Sequence, residues 1–239
     1  MNGKMRMMKM NDKTDMVYVP MDIKQYIKYL YKENALKYAF DDKTILVISI
    51  DEYDVNPRKY DENLWTIVFF LKDYEIGDYE WKRDHGIKYS NDLKEYLHDY
   101  YGSNHDYILI GLNFHDYNYY GQIEKIRIID VDDIGEYSGY AFVYKKDVIK
   151  YIGNEKEIML DLLNDDTLIN KAINILNKEI QKLNCYLHNE VYSFTLIDRN
   201  TLDIIDDMHG FYCNNIKSMK DYVHPQYQHL FYELKDVEE

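Results

Sequence analysis

The chain has 239 residues, of which 43 are Asp or Glu and 29 are Lys or Arg, giving a formal charge of −14. Hydrophobic residues make up 46% of it and only two are cysteine, so it can bury a core of one large domain or two small ones and is no disulfide-rich scaffold. No run approaches the ~20 apolar residues of a membrane-spanning helix, and the surplus of acids argues against direct nucleic-acid binding, which needs Lys and Arg to neutralise phosphates.

The first 16 residues hold most of the methionines together with Lys4, Arg6, Lys9 and Lys13. They show no clean period and are expected to be a flexible tail, or sequence upstream of the true start. They also lack the apolar core and small-residue cleavage site of a secretory signal. The expectation is a soluble, intracellular protein. From Asp22 to about Tyr38, the spacing of Ile23, Tyr26, Ile27, Leu30 and Tyr31 predicts an amphipathic helix. Thr44 to Ile50 and Asn63 to Leu71 read as strands, and Tyr74 to Asp78 as a turn. Asp92 to Tyr101 is a short helix ending near Gly102, and Tyr107 to Phe114, Gln122 to Ile129 and Tyr140 to Tyr144 are strands.

Short helices are expected at Lys146 to Tyr151 and Glu155 to Leu163. A long one follows from Thr167 to Leu187, where Ile169, Ile173, Leu176, Ile180, Leu183 and Leu187 share a face. Val191 to Ile197 and Leu202 to Ile205 form a hairpin around Asp198-Arg199-Asn200, and a last helix runs from Asn215 to Tyr222. Strands and helices do not alternate regularly, which predicts an α+β fold with a mainly antiparallel sheet. No linker composition marks a boundary, so residues 17–239 are expected to form a single domain. Of the 43 acids, 28 are Asp, whose short side chain favours turns and caps over helix interiors.

Few strings point to chemistry. His85, His98, His105 and His115 match no metal-ligand spacing, and Cys185 and Cys213 have no neighbouring ligand at zinc-site spacing. Cys185, on an apolar helix, reads as a buried hydrophobe rather than a nucleophile. Asp130-Val131-Asp132-Asp133-Ile134-Gly135-Glu136 resembles a calcium loop but places Ile134 and Ala141 where oxygen ligands are required. No metal and no cofactor are expected, and no nucleotide-binding or serine-hydrolase motif occurs. Asp130, Asp132, Asp133 and Glu136 make one candidate docking surface, and Asp161, Asp165 and Asp166 a second. Asn56-Pro57-Arg58 with Asp61 reads as a defined loop, in which the Arg58 guanidinium can fork onto the carboxylates of Asp54 and Asp61. Gly210 supplies a backbone conformation that other residues resist.

Several strings together resemble an uncharacterised family carried by phages and mobile elements of low-GC Gram-positive bacteria. Asn56-Pro57-Arg58 and Asp61-Glu62-Asn63-Leu64 are similar to its N-P-R-x-x-D-N-L motif, and Tyr74 with Gly77-Asp78 to its Y-x-x-G-D element. Gly139 to Val148 is similar to its G-Y-I-Y-V-x-K-x-x-V segment. Tyr186-Leu187, Glu190-Val191-Tyr192, Asp206 and Gly210-Phe211-Tyr212 resemble its closing hairpin. The chain departs from the pattern at Asn118-Tyr119-Tyr120 and the Asp130 turn, and Asp207 stands where Ser is usual.

The resemblance implies a setting, the cytoplasm of a bacterial host, and no mechanism. Small acidic proteins carried by phages often inhibit host defence, and an ordered array of carboxylates can occupy the basic grooves that defence proteins build for phosphates. The expected function is therefore an anti-defence inhibitor, of anti-CRISPR or anti-restriction type, with mimicry of DNA as one mode. Its expected partner is a host defence protein with a basic surface, with no direct nucleic acid and no membrane. Two other readings stay open: a metal-dependent, nuclease-like enzyme and a regulatory phage interaction protein.

Overall fold

The computed structural model describes residues 5–9, 17–31, 34–51, 56–59, 63–70, 76–101, 106–117, 123–129, 137–155, 165–213 and 216–237. In chain order, β1 (Met5–Lys9) and β2 (Val17–Met21) precede α1 (Ile23–Tyr31), β3 (Ala35–Phe40) and β4 (Thr44–Ile50). A 3-10 turn at Pro57–Lys59 leads to β5 (Thr66–Phe69), α2 (Tyr79–Asp84), α3 (Ser90–Tyr101), β6 (Tyr107–Tyr117) and β7 (Ile123–Ile128). Then come β8 (Gly139–Tyr144), α4 (Lys145–Glu155), α5 (Asp165–Leu187), β9 (Val191–Asp198) and β10 (Ile204–Tyr212). The chain closes with α6 (Ile216–Met219), 3-10 turns at Lys220–Tyr222 and Pro225–Tyr232, and β11 (Lys235–Asp236). The fold is α+β, and among the described residues every strand pair is antiparallel.

The chain falls into two compact units, one of Met1–Val55 with Asn189–Glu239 and one of Asn56–His188. The second is inserted in the chain of the first between β4 and β9. The segment expected to be a flexible tail carries β1, which pairs with β2.

In the first unit the sheet order is β10-β9-β4-β3-β11. Alternation along β4 sorts the core into two layers. Ile45 and Val47 pack with Ile23, Tyr26 and Ile27 of α1, while Leu46 and Ile48 pack with Met219, Val223 and Leu230 of the C-terminal helical segment. Asp22 caps α1, its Oδ1 accepting from the Gln25 amide at 3.0 Å. The helix expected to reach Tyr38 stops at Tyr31. Ala35–Phe40 is too short to choose between helical and strand periods, and pairing with β4 decides for the strand. Asp41 turns the chain into β4, accepting from the amides of Lys43 and Thr44 at 2.7 Å each. Asp198 does the same after β9, accepting from Asn200 and Thr201.

In the second unit the order is β5-β8-β6-β7. One face of this sheet carries Ile67, Phe69, Leu112, Ala141 and Val143 against Val148 and Ile152 of α4 and Leu168, Leu176 and Leu183 of α5. The other carries Val68, Tyr140 and Phe142 against Ile87 and against Leu93 and Leu97 of α3. Trp65 anchors the start of β5, its indole donating to the Ala172 carbonyl at 3.0 Å. Among the described residues no helix is long and apolar enough to cross a membrane.

Candidate functional site

Arg58 is the most constrained polar residue described. Its side chain is 2% exposed, and partners meet all five of its guanidinium protons. Nε and Nη2 fork onto Asp78 at 3.2 and 2.8 Å. Nη1 donates to Asn63 Oδ1 at 3.0 Å and to Glu179 Oε2 at 2.5 Å. Nη2 also donates to the Trp65 carbonyl. The acceptors are bound in turn: Glu179 Oε1 accepts from the Leu64 amide at 2.7 Å, and Asp78 Oδ2 from the Ile67 amide at 2.6 Å.

The local chain dictates this placement. Asn56 accepts from the Arg58 amide at 2.9 Å, fixing the turn that begins at Pro57, and Asn63 donates to the Pro57 carbonyl at 2.8 Å. Gly77 adopts φ 75° and its added Cβ would stand 2.6 Å from the Ile67 carbonyl oxygen, so glycine alone brings Asp78 to the edge of β5. Burial pushes the Glu179 carboxyl above its ordinary range, against the opposing pull of Arg58. Burial also works against charge on Arg58, but Asp78 and Glu179 together raise its pKa above the usual guanidinium value.

The expected fork is thus present with different carboxylates. Asp54 and Asp61 lie outside the described residues, and Asp78 and Glu179 supply the acceptors instead. Burial selects them, because an acid within the apolar stripe of α5 must find a cation. That stripe is the signal that could have identified Glu179, which stands between Leu176 and Leu183. Three of the strings that carry the family resemblance, around Arg58, Asn63 and Asp78, meet on this one guanidinium. With all five of its donors used, the Arg58 guanidinium offers none to a ligand, and the cluster serves as an architectural clasp.

Gly210 lies in the first unit at φ 79°, with nothing within 4 Å of an added Cβ. Its amide donates to Asp51 Oδ2 at 2.8 Å, and Asp51 Oδ1 lies 3.1 Å from Nδ1 of His209. Nε2 of the same ring lies 3.2 Å from Asp207 Oδ2. The buried Asp51 carboxylate thereby braces β10 where its register with β9 shifts between Met208 and Phe211.

β10 is the edge strand of its sheet, and from Ile204 to His209 its residues are exposed. Ile204 is 63% exposed, Ile205 40% and Met208 40%. Asp206 stands opposite Leu196 and Asp207 opposite Thr195, so the two acids project to opposite faces. Sequence reasoning ended this strand at Ile205, because exposed residues carry no alternation of hydrophobicity.

Of the acids expected to form docking surfaces, Asp130, Asp132, Asp133, Glu136 and Asp161 lie outside the described residues. Asp165 and Asp166 open α5, and Asp166 is exposed. A helix N-terminus carries a partial positive charge that favours acids near it. Among the described residues no group of three or more His, Cys, Asp or Glu is placed to hold a metal ion. No family model, curated protein or solved structure matches the chain.

Proposed function

We propose that this chain is an acidic binding protein whose partner is a protein with a basic, nucleic-acid-handling surface, and that in a bacterial host it inhibits a defence protein of that kind. One observation carries the reading: a charge of −14 coexists with exposed tyrosines, Tyr29, Tyr89, Tyr100, Tyr222 and Tyr232, each 59–74% exposed. Carboxylates steer a basic partner and repel nucleic acid, while Tyr supplies rigid contact area at little entropic cost.

The test is binding of the immobilised chain to a purified CRISPR or restriction nuclease, with duplex DNA as competitor and salt as the variable. Capture that DNA displaces and that weakens as salt rises supports the reading. Tight binding of the chain itself to DNA at ~150 mM salt, where phosphate contacts are already weakened, would sink it. Replacing Asp130, Asp132, Asp133 and Glu136 by their amides then asks whether that turn is the contact: if so, affinity falls and its salt dependence flattens.

A further inference from the structure

We propose that β10 is a docking edge, at which an extended segment of a partner protein adds as a further strand of the first unit's sheet. The segment it fits carries adjacent basic residues flanked by β-branched apolar ones. This rests on the proposed function, in which the partner is basic, and adds the place and the backbone geometry of contact.

Natural sheets protect an edge strand with charged side chains, bulges, Pro or cover from a helix or loop, and β10 has the first two, Asp206 with Asp207 and the register shifts on either side of them. From Asn200 through Tyr212 there is no Lys, Arg or Pro, and among the described residues no strand pairs with β10 opposite β9. Ile204, Ile205 and Met208 are left 40–63% exposed around Asp206 and Asp207.

The stretch is also held in shape. β9 behind it is buried from Ser193 through Ile197, and Asp51 with Gly210 braces the bulge at its far end. Between the register shifts at Ile204/Asp206 and Met208/Phe211, the residues Asp206, Asp207 and Met208 pair in register with β9. A preformed short template of this kind recruits a strand through main-chain hydrogen bonds, while alternate side chains set specificity.

Charge decides the occupant. Neighbouring acids project to opposite faces of the pleat, so two adjacent cations on an added strand meet both of them. A second copy of this chain would bring Asp206 and Asp207 near their own counterparts, and each copy carries −14. Repulsion therefore disfavours self-pairing.

The probe is a synthetic peptide with a Lys-Arg pair flanked on both sides by Val and Ile, compared with the same peptide N-methylated at alternate amides. Binding is followed by fluorescence anisotropy, and its location by hydrogen exchange of the full chain. The expected result is slowed exchange at Asp206–Met208 and a loss of at least about tenfold on N-methylation, since each strand bond lost leaves a polar group unpaired. Ile205→Lys and Asp207→Lys should each weaken the peptide comparably, with Glu95→Gln, an exposed change on α3, as an inert control. N-methylation without effect, protection elsewhere, or a dimer that Ile205→Lys dissociates would overturn the proposal. If the wild type and Ile205→Lys capture the same basic nuclease equally, the edge is wrong and the proposed function stands. If the wild type captures none, the proposed function fails, whatever the peptide does.

Discussion

In the four-stranded sheet, the outer backbone groups of β5 meet side chains one after another. Arg58 takes the Trp65 carbonyl, Asp78 takes the Ile67 amide, and Lys82 donates to the Phe69 carbonyl at 2.6 Å. At the opposite edge, Asn184 of α5 holds both backbone groups of Ile126 in β7, accepting from its amide at 2.8 Å and donating to its carbonyl at 3.1 Å. In the five-stranded sheet, β10 exposes Ile204, Ile205, Asp206 and Met208, while the Asp51 carboxylate takes the Gly210 amide and His209 Nε2 lies 3.2 Å from Asp207 Oδ2. A sheet edge can be finished by its own chain or left for another, and this protein does both. Where polar side chains complete an edge, their loss should cost stability; along the exposed stretch of β10, substitution should cost binding.

The largest effect should come from Arg58→Ala. It leaves Asp78 and Glu179 in a largely buried site without a cation, a loss expected at about 3–5 kcal/mol. Both tryptophans, Trp65 and Trp81, lie in the second unit, so their fluorescence in denaturant reads the surroundings of those two rings. Arg58→Lys should recover only part of the loss, because an ammonium has three donors where the site uses five. An unchanged midpoint for Arg58→Ala would mean the clasp contributes nothing and the contrast between the sheets has no energetic meaning.

Next is Asn184→Ala, which strips both partners from Ile126. A buried backbone group left unpaired costs about 1–3 kcal/mol, and the Ile126 amide should exchange faster with solvent. Gly210→Ala meets no atoms, so only its left-handed backbone opposes the change, by about 1–2 kcal/mol. Hydrogen exchange along β9 and β10 should register it.

A smaller effect concerns pH. Because burial holds the Glu179 carboxyl above 4.5, the folded protein keeps that proton to higher pH than the unfolded chain does. Its contribution to stability therefore falls as pH rises from the ordinary Glu value through the folded one. Unfolding midpoints between about pH 4 and pH 7 should show this component in the wild type and lack it in Glu179→Gln. Smallest of all should be Ile205→Lys, an exposed change expected within about 0.5 kcal/mol. A large loss there would show β10 to be part of the core it overhangs.

Much of the fold was legible where periodicity was strong. The long α5, the apolar run of β4 and the alternating β9 declare themselves, because burial on defined faces fixes which positions must be apolar. Asp likewise sits where its chemistry suggests, at Asp22, Asp41 and Asp198, on caps and turns. α2 was missed because it buries no residue and so leaves no apolar pattern. The grouping into two compact units leaves no mark in composition, because it is set by contacts distant in sequence. The Pro57 loop was visible as a loop, but its partners were not. Asp78 is brought in by a glycine turn and Glu179 by a helix, and neither contact is local in sequence.

That separation has a kinetic consequence. Arg58 and Glu179 are 121 residues apart, so their bond closes a long loop and can form only after α5 has docked on the turn at Pro57. Interactions made late in folding leave the folding rate nearly untouched and slow unfolding instead. Chevron plots of Arg58→Lys should thus differ from wild type mainly in the unfolding arm. The clasp would act as a latch on the finished unit, lengthening its lifetime without hastening its assembly.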